Sequence, residues 1–238
     1  MYKISVTTLE KFRRFMAAET SFDTEASLIN TITGRFEGTD KTRIGHAWHS
    51  LIETPKKACY MKYQNELWMG IDGMAFPYKV GMKAKAYASN HLVMVSEVPV
   101  RKIYTLPKYD IMVSGRVDGL EGIEVRDTKV EFNTYTTLKE FTESVQWRFY
   151  LDMLDLKVFH YDIWEVSGYK GLERFVDPFY YLEGIDLNYN EPLTLHPYKG
   201  MQDELRQLLI DFMSWIEHKQ FFSILKTTNE GALQTKKR

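Results

Sequence analysis

One cysteine in 238 residues is too few for an internal disulfide, an iron–sulfur cluster or a cysteine-based zinc site. That residue, Cys59, is read as a small buried hydrophobe. No stretch approaches about 18 uninterrupted apolar residues, so the sequence offers no membrane-spanning helix. The opening MYKISVTTLEKFRRF lacks the apolar run of a signal peptide. With 7 Pro and 14 Gly, no linker rich in either divides the chain, and no repeat is visible. A GxxxxGK[ST] loop is absent, so ATP is not implied. The expectation is a soluble, cytoplasmic protein.

What remains is ordinary globular material, 44% hydrophobic and 26% charged, with 14% aromatics to fill a core. The length suits one generous domain. It reads as a helical N-terminal part, about 1–90, joined to a sheet-centred core, about 91–220. The net charge of −1 hides an asymmetry. Residues 1–108 hold 16 Lys and Arg against 10 Asp and Glu, whereas residues 109–238 hold 15 against 22. A basic half beside an acidic half is compatible with a polyanion-binding face next to a metal site, and equally with solvated surface.

The opening helix is read as capped by Thr7 or Thr8, with Leu9, Phe12, Phe15 and Met16 at helical spacing. A second helix, 45–53, stops near Pro55. Residues 56–90 interleave Lys56, Lys57, Lys62, Lys79, Lys83 and Lys85 with six aromatics, and read as helix with turns at 70–73. Alternation then predicts strands over 91–104, 110–118 and 122–130, the last two forming a hairpin. A long helix over 137–154 buries Leu138, Phe141, Val145, Phe149 and Met153. A strand over 158–166, a candidate strand over 174–182 and a closing helix over 200–220 complete a mixed α/β domain.

The strand GIEVRDTKV places Ile123, Val125, Asp127 and Lys129 on one face and Glu124, Arg126 and Thr128 on the other. Taken alone, Asp127 and Lys129 read as an ion pair at a strand end. Asp118, however, closes the preceding strand, and a tight hairpin brings it toward Asp127. Two carboxylates so placed repel unless a cation sits between them. Oxygen donors of this kind suit Mg²⁺ or Mn²⁺. His49 lies on the 45–53 helix with Glu53 at i+4, and an imidazole would favour Mn²⁺. Gln146 and Tyr150, also i and i+4, share a helix face. Each feature singly has a structural reading: a core histidine, or a Gln–Tyr pair at a surface.

The ordered set GxxxH (45–49), GxxD (115–118), DxK (127–129) and QxxxY (146–150) resembles the RecB-type branch of the PD-(D/E)XK nuclease superfamily. The resemblance covers about residues 45–166. It implies a restriction-endonuclease-like core, a central mixed sheet flanked by helices. It also implies metal binding by His49, Asp118, Asp127 and the main-chain carbonyl of Thr128. Lys129 resembles the residue that orients or helps deprotonate the attacking water. Gln146 and Tyr150 resemble the pair that supports the site and contacts the DNA strand. Glu97 sits where some relatives carry a further acid. Val130 stands where relatives often have Thr or Ser, and Cys59 alone excludes the four-cysteine cluster of some relatives. Glu124-Val-Arg126 mimics DxK, but its parity assigns it to the opposite, solvated face.

The resulting expectation is a Mg²⁺- or Mn²⁺-dependent DNA exonuclease of recombination or phage type in a bacterial or phage-infected cell. It would act on linear duplex or single strands, and work beside a strand-annealing recombinase. Arg43, Lys56, Lys57 and Lys62, with Arg13, Arg14, Arg35 and Lys41, are candidates to track phosphates. The alternatives are an endonuclease on DNA or RNA with the same site, and a non-catalytic nucleic-acid-binding module.

Overall fold

The computed structural model describes residues 1–35, 38–91, 95–132, 138–172 and 174–225. It is a mixed α/β protein with a central mixed sheet flanked by helices, and a second sheet beside it. Its frame is the hairpin of β6 (Asp110–Glu121) and β7 (Glu124–Glu131), closed by the two residues Gly122 and Ile123. Gly122 has φ 62°, a conformation this tight turn needs and glycine adopts freely. Ile123 projects from the turn and is 74% exposed, so it leaves the apolar face expected of it.

β5 (Val95–Thr105) runs antiparallel along the whole of β6, while β1 (Tyr2–Ser5) pairs with it in parallel. β7 pairs in parallel with β8 (Val158–Ser167) through all eight of its residues, Glu124 opposite Val158 to Glu131 opposite Glu165. The crossover between them carries α5 (Leu138–Glu143) and α6 (Val145–Leu154). β11 (Asp186–Tyr189) and β12 (Leu193–Leu195) then add antiparallel to β8.

α1 (Val6–Ala17), α6 and α7 (Met201–His218) cover one face, where Leu9, Phe12, Phe149, Leu209 and Phe212 are fully buried. α2 (Glu25–Ile32) joins that layer through Leu28. α3 (Asp40–Glu53) and α4 (Tyr78–Asn90) meet Trp164 in a second core around Trp48 and Phe76. Among the described residues, no helix is long and apolar enough to cross a membrane.

The structure corrects the sequence reading in several places. The chain opens with strand β1, and Ser5, rather than Thr7 or Thr8, caps α1 by accepting from the Thr8 N–H. Met16 is 60% exposed and lies off the buried stripe. Residues 56–77 are not helical. After a 3₁₀ turn (Pro55–Lys57), β2 (Cys59–Tyr63), β3 (Glu66–Ile71) and β4 (Met74–Pro77) form two successive hairpins. Their loops, Gln64–Asn65 and Asp72–Gly73, have positive φ at both residues, the tight-turn geometry that Asn and Gly favour.

β10 (Phe179–Tyr181) and β9 (Phe175–Val176) complete that second sheet, so the single strand expected over 174–182 is a hairpin. Cys59, on an edge strand, is exposed rather than buried. The expected 137–154 helix breaks at Ser144, whose hydroxyl caps α6. Glu10 accepts from both the Ser144 hydroxyl and the Val145 N–H, which stabilises the new helix start. Leu138 is 62% exposed, and Thr137 lies outside the described residues, as do the expected strand positions 92–94.

Candidate metal centre

The site is built where β6 and β7 begin to separate. Their ladder runs from Glu121 opposite Glu124 to Gly119 opposite Arg126, and the next pair in register is Asp118 and Asp127. There the Thr128 N–H donates to the Asp118 carboxylate, 2.9 Å away, in place of a strand-to-strand bond. α3 supplies His49, whose Nδ1 is 3.4 Å from Asp118 Oδ2 and 3.9 Å from Glu53 Oε1. A capping box of Thr39 and Thr42 fixes the start of that helix, and Trp48, fully buried, fixes its roll. One donor atom each from His49, Glu53 and Asp118 lies within 4.8 Å of the others, a spacing that could hold a metal ion.

Asp127 is 1% exposed and is engaged differently. Its Oδ2 is 2.5 Å from the Lys129 ammonium, and its Oδ1 accepts from Gln146 Nε2 at 3.3 Å. Tyr150, one turn beyond Gln146 on α6, donates to the Arg116 carbonyl at 2.8 Å. Gly115 explains how it gets there. A Cβ at that position would lie 2.5 Å from Tyr150 Cε1 and 3.1 Å from its hydroxyl, so only a glycine lets the ring lie against β6.

The electrostatics match this crowding. Burial first, then the nearby Asp118 and Glu97, pushes the Glu53 carboxyl up to about 7. Burial likewise pushes Asp127 up to about 6, with Asp118 adding to the rise and Lys129 opposing it. Asp118 is also raised by burial, against the pull of Lys129 and the Thr128 N–H. His49 is lowered to about 4 by burial and by Lys129, so its ring is neutral and a competent ligand at neutral pH. For Lys129, burial works against the charge, but Asp127 outweighs it and holds the ammonium above its ordinary range. Glu53 Oε1 is buried with no hydrogen-bond donor. Three strained carboxylates, one of them with a bare oxygen, and a neutral imidazole fit a hard or borderline divalent cation.

The expected residues thus fall into distinct groups. His49, Asp118, Asp127, Thr128, Lys129, Gln146 and Tyr150 converge. Glu53, left out of the expected ligand set, joins it, and its signal was the i+4 spacing from His49. Glu97 stands apart, paired with Arg116 at 2.5 Å. The face bearing Glu124 and Arg126 is not solvated. Arg126 forks onto both oxygens of the fully buried Asp162, at 2.8 and 3.0 Å, and also pairs with Glu121.

Of the expected phosphate-tracking residues, Lys56, Lys57 and Lys62 are exposed on the turn and strand that follow Glu53. Arg43 is exposed, with its guanidinium 5.0 Å from the Tyr180 ring and 3.7 Å from Asp40. Arg35 is exposed, and Lys41 stands 5.5 Å from the Phe132 ring. Arg13 and Arg14 are instead committed to Glu10, Glu19 and Asp23.

No family model matches the chain, and no curated protein matches it in sequence. Among solved structures it is similar to the crystal structure of SSO0001, with 11% identity and a TM-score of 0.47. That match covers 90% of this chain and 77% of the other. A likeness at this level carries no argument about family or activity.

Proposed function

We propose that this chain is a divalent-metal-dependent DNA exonuclease with a restriction-endonuclease-like core, related to the RecB-type branch of the PD-(D/E)XK nucleases. One observation carries the reading. Motifs scattered over about a hundred residues meet at the point where β6 and β7 part, with Lys129 on Asp127, Gln146 behind it and His49 beside Asp118. An ion-pair network built for stability alone would not place a neutral imidazole and three carboxylates with raised proton affinity in one pocket.

His49, Asp118 and Glu53, with Asp127 adjoining them, would hold Mg²⁺ or Mn²⁺, the imidazole favouring Mn²⁺. Such an ion supplies positive charge to a phosphodiester and makes a water more acidic. Lys129, held as an ammonium by Asp127, donates hydrogen bonds and cannot itself take a proton in that state. Its role is to orient the attacking water and to balance charge developing on the phosphate. Gln146 fixes one oxygen of Asp127 and so leaves the other to Lys129. Tyr150, locked against Gly115, fixes the rotation of α6 and thereby Gln146. The expected reaction is phosphodiester hydrolysis that leaves a 5′ phosphate.

The test joins binding to activity. Calorimetric titration with Mn²⁺ should show a site that Asp118→Asn weakens at least tenfold. The same variant and Lys129→Met should lose degradation of linear DNA, Lys129→Met while retaining Mn²⁺. Mn²⁺ binding unaffected by Asp118→Asn would overturn the reading.

A further inference from the structure

Beside the metal-site residues lies a cleft of about 250 Å³ between the C-terminal ends of α3 and α4 and the β5–β6–β7 edge. Glu53, Asp118 and Thr128 form its mouth on the metal side. Ile52, Pro55 and Ala88 give it an apolar wall, and Ser96, Gly119 and Arg126 give it a polar floor. Resting on the nuclease reading above, we infer that this cleft receives the base of a single, unpaired nucleotide at the strand end being cut, with its phosphate turned toward His49 and Asp118.

Three observations support this. The first is size: small-molecule sites run about 300–1,000 Å³, so this cleft has room for one nucleoside and none for a base pair. The second is charge. Arg126 is the cation in the floor, but Asp162 and Glu121 already neutralise it, so the interior does not attract a phosphate of its own. The anion belongs at the mouth, where a bound cation would sit, and a neutral, flat group belongs inside. The third is the lining. One apolar wall facing a floor of hydroxyl, backbone and guanidinium suits a planar ring with a polar edge. Gly119 adds no side chain that would narrow the floor.

Because the floor offers few free donors or acceptors, binding is tolerant of base identity. Because only one base fits, a duplex end must unpair before it is cut. Single strands are therefore better substrates than blunt duplexes in the same metal.

The experiment uses the full chain in Mn²⁺ with deoxyadenosine 5′-monophosphate and deoxyribose 5-phosphate as calorimetric probes. Wild-type protein is expected to bind the nucleotide at least tenfold more tightly than the sugar phosphate, because only the former fills the cleft. Equal affinities, or no binding of either probe while Mn²⁺ binds, would overturn the inference and leave the metal site standing. Loss of Mn²⁺ binding itself would instead strike the nuclease reading. Ala88→Trp, which fills the apolar wall, should erase the nucleotide's advantage and keep the Mn²⁺ affinity. A folded Ala88→Trp protein that binds the nucleotide as wild type does would also overturn it.

Discussion

Removing the ammonium of Lys129 while leaving the carboxylate of Asp127 isolates the electrostatics at the centre of this site. Asp127 is 1% exposed and has two partners, Lys129 at 2.5 Å and the amide of Gln146 at 3.3 Å. Lys129→Met keeps the aliphatic stem and deletes the charge, stranding a buried carboxylate with one neutral donor. Breaking a buried pair in this way costs about 3–5 kcal/mol.

The protein has an escape, because Asp127 can take a proton. Its pKa, pushed up to about 6 even with Lys129 present, must rise further once that opposing charge is gone. The folded-state value then lies above the unfolded one, so folding takes up a proton and is favoured as the pH falls. The penalty is full above the folded pKa and fades below it toward the unfolded value.

Urea unfolding in EDTA, followed by tryptophan fluorescence, should therefore show a loss of about 3–5 kcal/mol near pH 8 and less than half of that near pH 5. Asp127→Asn/Lys129→Met removes both charges and should lie within about 1–2 kcal/mol of wild type. An equal loss at both pH values, or a double variant as unstable as the single, would refute the reasoning.

Further outcomes follow from the same geometry. Mn²⁺ at about a hundred times its dissociation constant should stabilise the fold by about 2.7 kcal/mol. That is a melting shift of roughly 5–10 °C for a chain of this size, and Glu53→Gln should lose most of it. Proton competition at Glu53, titrating at about 7, should weaken Mn²⁺ binding roughly tenfold between about pH 8 and pH 6, readable by calorimetry. Flat affinity across that range would remove Glu53 from the ligand set. Gly115→Ala forces its Cβ onto the Tyr150 ring and should destabilise by about 1–3 kcal/mol in urea, with loss of DNA degradation. Arg126→Met strands the fully buried Asp162 and should cost about 3–5 kcal/mol by the same unfolding assay, an effect a solvated arginine would not give.

How far the sequence foretold this molecule differs from element to element, for physical reasons. The site was legible because each part obeys a local period: Asp127 and Lys129 two apart on a strand, Gln146 and Tyr150 four apart on a helix, and a two-residue hairpin between the acids. Glu53 obeys the same helical period from His49, but no residue in the motifs pointed to it.

The second sheet was missed because Gln64–Asn65 turns the chain without glycine or proline, and Lys and Tyr suit helix and strand alike. Strand β1 is four residues long and exists through its pairing with β6, more than a hundred residues away. Arg126 was assigned to water by parity alone. What buries it is Asp162 on β8, a partner set by the parallel crossover and invisible to a strand read by itself. Ser144 breaks the expected long helix through Glu10, again a contact across the fold.

The most direct test of the central claim is a time course in Mn²⁺ on linear duplex, linear single strands and covalently closed circles, with Asp118→Asn run beside wild type. The account predicts degradation of the linear forms, faster for single strands, with circles intact and the variant inactive. Nicking of closed circles by wild type would contradict exonuclease action and assign the same site to an endonuclease. Folded, Mn²⁺-bound protein that leaves every substrate whole would contradict catalysis altogether.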